Sequence, residues 1–392
     1  MTRLESSPKD LTNVNRPAST ANDSKRVFNF NGGPGALPLP VLERIREELL
    51  DYRGTGMSVM EMSHRAPPVE EILDRAEKTL RRLMNISNDY AVIFTQGGGS
   101  LQFAMVPMNL YITGKPVDVL HTGMWTSKPI VELKKIAPYR LAGSSEAVKF
   151  TRIPRPDEIE FAPDASYVYM ATNNTIEGTQ WQSMPETGAV PLVADMSSDI
   201  LSRSIDVNRF GLIFAGAQKN VGGAGVTLVV VRTDVLRTQP SADTLRSLGL
   251  PVPPIMMHYP VLASAASLYN TLPILEVFVC REVMAGILAR GGLEAQEQTA
   301  NAKAALLYAA LDERAELYQV VPDKSCRSRM NICFRLAGGG PAEQAFLAGA
   351  ESRGLMGLKG HRSVGGLRIS NYNSITREAA EKLAAWIREF QG

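Results

Sequence analysis

Long apolar runs are missing from this 392-residue chain, and none is long enough to span a bilayer as a helix. Histidine and cysteine are scarce, at four and three residues. There is no CxxC pair and no paired histidine spacing, which argues against a metal centre. The odd cysteine count (Cys280, Cys326, Cys333) suits reduced thiols in a cytoplasm better than a disulfide framework. A surplus of one charge is missing too. Lys and Arg number 42 against 40 Asp and Glu, so no nucleic acid or other polyanion is implied as a partner. What remains is the ordinary balance of a large globular enzyme, long enough for two domains.

Residues 1–26 are polar and carry acidic positions, with no signal-peptide core, and are expected to form a disordered leader. From Tyr90 to Val231, short apolar runs alternate with helical periodicities. This predicts an α/β fold built on a doubly wound, mostly parallel sheet. Helical spacing places Val69, Ile72, Leu73, Ala76, Leu80 and Leu83 on one face, and Leu383, Trp386, Ile387 and Phe390 on another. Between these lies a long amphipathic helix with Ala302, Ala305, Leu306 and Ala309 as its apolar positions. The change of pattern near residue 290 predicts a large domain over 27–289 and a smaller α+β domain over 290–392, with 27–40 packing on the latter.

The chemistry centres on Lys219. The run Leu212–Ala215 reads as a buried strand, followed by Gln218 and Lys219 and then by Gly222-Gly-Ala-Gly. A lysine at a strand end among small residues can meet a planar ligand closely. Burial there would favour the neutral amine that attacks aldehydes. An isolated Ala-Gln-Lys-Asn is otherwise an exposed turn. Upstream, Val190–Ala194 is another apolar run, and it ends in Asp195. A carboxylate at the end of a buried strand needs a cation, and a protonated pyridine nitrogen is one.

Three other stretches present chemistry at predicted strand ends. Strand Tyr90–Thr95, the turn Gln96-Gly-Gly-Gly99 and a helix beginning at Ser100 form a phosphate cradle, without the Lys-[ST] of a P-loop or a GxGxxG. Trp125 follows strand Val117–Leu120 and is either a stacking platform or a core aromatic. Thr175 lies in the polar loop after strand Tyr167–Ala171. Adjacent His64 and Arg65 sit in a loop and are a candidate anion site. Lys359, His361, Arg362 and Arg368 gather near the C-terminus without acidic neighbours, which suggests an anionic substrate.

Together these stretches resemble the phosphoserine aminotransferases, which are class V, fold-type I pyridoxal-phosphate enzymes. The resemblance rests on Phe28-Asn-Phe with Gly33-Pro, Ser58-Val-Met-Glu with Ser63-His-Arg, Gly97-Gly-Gly-Ser and Ala215-Gly-Ala-Gln-Lys-Asn. It continues through Tyr269-Asn-Thr, Arg329-Met-Asn and Lys359-Gly-His-Arg-Ser-Val-Gly-Gly-Leu-Arg, in that order along the chain. It implies pyridoxal phosphate as cofactor, with Lys219 as the Schiff-base lysine and Asp195 beside the pyridine nitrogen. It implies that Trp125 stacks on the ring and that Thr175 lies near the phenolic side. Gly99, Ser100 and Gln218 would hold the phosphate, with Asn270 and Thr271 from the second subunit of a homodimer. Arg368 would take the substrate α-carboxylate, and His64, Arg65, His361 and Arg362 the distal phosphate or carboxylate.

The implied reaction exchanges the amino group between phosphoserine and 2-oxoglutarate in serine biosynthesis, with phosphohydroxythreonine of vitamin B6 synthesis as a further substrate. The sequence departs from the family pattern at Ala66-Pro-Pro, at Ser100 and at Leu272-Pro-Ile. Two kinds of rival remain. A cysteine desulfurase or an alanine–glyoxylate transaminase would share the class, and the desulfurase would need Cys326 as nucleophile. A metabolite-sensing regulator would need a DNA-binding domain, for which the leader is too short.

Overall fold

A computed structural model describes residues 26–237, 241–247, 249 and 252–392. The leader expected at the N-terminus lies outside the described residues except for Arg26. Among the described residues, twelve strands and eleven α-helices follow one another in order. The strands are β1 Phe28–Asn29, β2 Tyr90–Thr95, β3 Val117–His121, β4 Tyr139–Ser144, β5 Val168–Ala171 and β6 Leu192–Asp195. Then come β7 Leu212–Gly216, β8 Thr227–Arg232, β9 Tyr318–Val320, β10 Asn331–Leu336, β11 Leu355–Met356 and β12 Leu367–Ser370. The helices are α1 Leu39–Glu48, α2 Pro67–Met84, α3 Gly98–Leu110, α4 Met124–Ile136, α5 Thr233–Arg237 and α6 Ala242–Ser247. The rest are α7 Tyr259–Ser264, α8 Ile274–Ala289, α9 Gly292–Asp312, α10 Gly339–Ser352 and α11 Arg377–Glu389.

The main sheet has seven strands in the order β2-β8-β7-β6-β5-β3-β4. Only β8 runs against its neighbours. The link from Gly216 to Thr227 is too short for a parallel crossover, so the chain must return antiparallel there. Period-two alternation then fills both faces of the sheet. Val92, Phe94, Leu228 and Val230 pack with α2 and α8, and Ile93, Val229 and Val231 pack with α3, α4 and α7.

Helix α2 shows how local chemistry sets an element. Pro67 starts it, Glu70 lies in its first turn, Arg81 and Arg82 lie in its last, and left-handed Asn85 ends it. All six apolar positions expected on its face are buried. The expected face of α11 is buried as well. The expected face of α9 is not. Ala302, Ala305 and Ala309 are exposed and Leu306 is half-buried, whereas Lys303 is buried, donating to the carbonyls of Tyr372 (3.0 Å) and Ile375 (2.7 Å). Alanine spacing carries too little hydrophobic contrast to choose a face, and distant carbonyls made the lysine acceptable inside.

A second core surrounds the antiparallel sheet β12-β10-β9, where Phe346 packs against Tyr318, Phe334, Trp386 and Phe390. The N-terminal arm joins it through β1, which pairs parallel with β11, and through buried Phe30. Polar contacts bind this part to the main sheet. Asn173 Nδ2 donates to Asn331 Oδ1 at 2.8 Å, and Asn220 Oδ1 accepts from the Asn373 N–H at 2.9 Å.

Candidate active site

Five strands deliver residues to one edge of the main sheet, and all do so at their carboxyl ends: Gly99 after β2, Trp125 after β3, Thr175 after β5, Asp195 ending β6 and Lys219 after β7. This is the edge at which open α/β sheets bind ligands. Sequence-distant residues therefore converge because parallel strands all point the same way.

Lys219 is buried, and its Nζ lies 2.9 Å from the Thr175 hydroxyl and 5.1 Å from the centre of the Trp125 ring. No carboxylate forms an ion pair with it among the described residues. Burial pushes its pKa down to about 8, with Asp195 opposing and the Arg368 charge assisting. Asp195 accepts the Ser197 N–H at 2.8 Å. Burial raises its pKa, and Ser197 and the charge of Lys219 counteract only partly. A buried carboxylate whose hydrogen-bond partner is Ser197, with no cation paired to it, is expensive until a cationic group arrives.

The glycine turn before α3 requires glycine. Gly97 and Gly98 have φ of 90° and 63°, and a Cβ on Gly97 would lie 2.4 Å from the Leu101 side chain. A Cβ on Gly99 would come within 3.3 Å of Ser197 Oγ, so the start of α3 closes against the Asp195 loop. Ser100 occupies the first turn of α3, where unpaired backbone N–H groups and the helix dipole favour an anion. Gln218 is half-buried and folds back on Gly216.

Arg368 approaches from β12. Its Nη1 donates to the Thr175 carbonyl (3.3 Å), and its guanidinium packs so tightly on Gly32 that a Cβ there would overlap it. The Gly32–Gly35 turn is held in turn by the Tyr372 hydroxyl, which donates to the Gly32 carbonyl at 2.7 Å, and by the Gly35 N–H on the Gln218 carbonyl at 2.8 Å. His361 is half-buried, and burial lowers its pKa, followed by the charges of Arg368, Arg362 and Lys128. Its Nδ1 faces Ser363, accepting that residue's N–H at 3.3 Å, which leaves the neutral ring's proton on Nε2. Arg362 is exposed beside it. Lys128, Lys359, Arg362 and Arg368 form no ion pair among the described residues.

The remaining candidates form a cluster of their own on Gln96, at the start of the glycine turn. His64 Nδ1 is 3.0 Å from Thr271 Oγ1, Gln96 Nε2 donates to the Thr271 carbonyl (3.1 Å), and Asn270 Nδ2 donates to Gln96 Oε1 (3.0 Å). Arg65 is exposed next to them. No hydrogen bond or ion pair joins this cluster to Lys219, Asp195, His361 or Arg368 among the described residues. Sequence reasoning passed over two groups. Lys128 sits one turn past Trp125 with Nζ 4.5 Å from that ring's centre, and its i, i+3 spacing was the available signal. Glu177 is buried and accepts the Met124 N–H at 2.8 Å, capping α4 and so seating Trp125; nothing in sequence ties it to residue 124.

The arrangement is that of a lysine-bearing carbonyl site flanked by cations. A family model of class-V aminotransferases matches residues 27–383. The chain belongs to that family. A phosphoserine aminotransferase of Niallia circulans is 45% identical over 94% of this chain and 99% of its own length. The solved phosphoserine aminotransferase of Bacillus circulans subsp. alkalophilus superposes with a TM-score of 0.88 at 45% identity, covering 93% of this chain and 98% of that one. The pyridoxal-phosphate-bound phosphoserine aminotransferase of Trichomonas vaginalis gives 0.87 at 35% identity, covering 93% and 100%. As a class-V aminotransferase the chain has the expected α/β architecture, and no helix among its described residues is long and apolar enough to cross a membrane.

The residues at the sheet edge fit the family's cofactor. Among the described residues Asp195 has no ion-pair partner, Lys219 is a buried amine, and Trp125 Nε1 and Arg368 Nε are buried without hydrogen-bond partners. A sulfur nucleophile is disfavoured. Cys280, Cys326 and Cys333 are all buried, and burial raises each thiol's pKa, that of Cys333 to about 12. Cys326 is thus not the loop thiol that a desulfurase would require.

Proposed function

We propose that this chain is a pyridoxal-phosphate-dependent phosphoserine aminotransferase, which interconverts 3-phosphohydroxypyruvate and L-glutamate with O-phospho-L-serine and 2-oxoglutarate. The observation that carries the reading is the pair of guanidinium groups of Arg362 and Arg368, without ion-pair partners among the described residues, gathered at His361, with the Arg368 charge also acting on a buried lysine whose pKa is lowered. The names of its relatives at about 45% identity agree.

When bound, pyridoxal phosphate supplies the electron sink that lets a proton leave the Cα of an amino acid. The protein's part follows from its own atoms. Lys219 Nζ, neutral in a useful fraction, accepts the Cα proton and returns it, with the Thr175 hydroxyl as its hydrogen-bond partner. Asp195 would hold the positive charge of the cofactor's ring nitrogen. The start of α3, with Gly99 and Ser100, and the Gln218 side chain would hold the cofactor phosphate, and Trp125 would bound the ring. Arg368 takes the α-carboxylate, and its anchoring on Thr175 and Gly32 keeps it from swinging away. His361 donates from Nε2 and Arg362 offers a planar fork, so the distal pocket accepts a phosphate or a carboxylate. Phosphohydroxythreonine presents the same two anions.

Asn270 and Thr271 serve the phosphate of a second copy in a homodimer, and because His64 bonds to Thr271, His64 and Arg65 act on that copy's substrate too. Support comes from the lack, among the described residues, of any hydrogen bond or ion pair from this cluster to Lys219, while it touches the glycine turn through Gln96. Mixing the two inactive variants Lys219→Ala and His64→Ala should restore part of the activity by forming one intact site per hybrid; no restoration would count against shared sites. The reading of residues 27–289 and 290–392 as large and small domains, and of the cytoplasm as location, is part of the same proposal. A coupled assay with phosphoserine and 2-oxoglutarate, run beside alanine, serine and aspartate as donors, tests the function. Faster turnover of alanine or aspartate than of phosphoserine would overturn it.

A further inference from the structure

We infer that Lys128 is a specificity-determining residue that contacts the distal anion of the substrate from the Trp125 side of the site. The inference rests on the transaminase reading given above and extends it to a residue for which no role has been assigned. Lys128 is exposed and has no ion-pair partner among the described residues, so its ammonium is available to a ligand. It is nonetheless directed. Its Nζ lies 4.5 Å from the centre of the Trp125 ring, and Lys219 Nζ lies 5.1 Å from the same centre. Both ammonium groups therefore border the same indole, so a ligand that meets Lys219 along that ring comes close to Lys128.

The i, i+3 step from Trp125 on the first turn of α4 fixes this geometry, because residues so spaced share a helix face. The base of that turn is rigid. Glu177 caps the Met124 N–H, the Thr126 hydroxyl bonds the Gly123 carbonyl at 2.8 Å, and Tyr169 donates to the Trp125 carbonyl at 3.2 Å. Near it stands His361, on which the charges of Arg368, Arg362 and Lys128 all act, so these four side chains border one space. Lys128, Arg362 and Arg368 gather like charges without an ion pair among the described residues, and an anion held among them relieves their self-repulsion.

The flexible ammonium and the planar guanidinium divide the work. Arg362 suits either a carboxylate or a phosphate, whereas a point charge on a long stem gains most from the ligand bearing more charge. A phosphate monoester carries nearly two negative charges at neutral pH and glutamate's side chain one. Lys128 therefore favours phosphoserine over glutamate.

The test compares Lys128→Ala, Lys128→Arg and the control Lys134→Ala, an exposed lysine on the last turn of the same helix. KM and kcat are measured for phosphoserine and glutamate as alternative amino donors with saturating acceptor. Lys128→Ala is expected to raise KM for phosphoserine by about tenfold and for glutamate by only about threefold, with kcat little changed. Lys128→Arg should recover most of that loss, and Lys134→Ala should behave as wild type. The absorbance of the bound cofactor should be the same in all four proteins, and inorganic phosphate should inhibit Lys128→Ala less strongly than wild type. Equal losses for both donors, a loss confined to kcat, or no change in Lys128→Ala would each overturn the inference. Wild type failing to act on phosphoserine would instead sink the functional reading.

Discussion

The lowered pKa of Lys219 makes a prediction that can be checked without turnover. In the cofactor-free chain, burial favours the neutral amine and holds the pKa near about 8, against 10.5 for an ordinary lysine. At pH 7 about one molecule in ten then carries neutral amine, compared with roughly one in three thousand for an ordinary lysine, an advantage of about 300-fold. The perturbation is removal of the cofactor. The assay is brief exposure to a small aldehyde with a hydride trap between pH 6 and 10, followed by mass spectrometry of the Lys219 peptide. Labelling should rise with pH to a midpoint near 8, while exposed lysines are still rising at pH 10. Two variants give the signs. Removing the Arg368 charge with Arg368→Met takes away a cation that opposes protonation, so the midpoint should move up. Asp195→Asn takes away an anion that favours protonation, so the midpoint should move down. The folded chain gives up this proton at a lower pH than the unfolded chain, so cofactor-free stability should also rise between about pH 8 and 10.5. A Lys219 midpoint at that of surface lysines, or an Arg368→Met midpoint that moves down, would refute the reasoning.

Other expectations follow from single contacts. Arg362→Ala should raise KM for phosphoserine by roughly ten- to a hundred-fold and leave plain serine and the cofactor spectrum nearly unchanged, the loss expected for one charge-assisted contact; equal effects on both substrates would make the residue structural. Cys326→Ala should leave turnover intact in steady-state assays, because the thiol is buried against main-chain groups, among them the carbonyls of Thr151 and Asp323. Lys303→Ala should lower Tm by removing the donor to two buried carbonyls, at a cost on the order of 2–4 kcal/mol, without altering KM. An unchanged Tm in scanning calorimetry would show that those carbonyls find other donors.

The amino-acid order by itself determined the units that carry chemistry. Strand, glycine turn and helix at Tyr90–Leu110 are local, as are the strand ends that present Asp195 and Lys219, and their periodicities survive in the folded chain. The faces of α2 and α11 were legible for the same reason, since large aliphatic residues at helical spacing leave one arrangement that buries them. Parallel strands made the convergence of five loops at one edge predictable from alternation alone.

Only the tertiary structure decided which long-range partners meet. It turned Ala302, Ala305 and Ala309 outward and Lys303 inward, because the carbonyls of Tyr372 and Ile375 arrive from another helix's approach. It buried Cys326, set Glu177 on the start of α4 and grouped His64 with Thr271 instead of with His361. Each of these depends on packing between segments far apart in sequence, or on which way one side chain leaves its helix. Local periodicity constrains neither, because the free energy that chooses among such contacts is shared by both partners and appears only when the chain has closed around them.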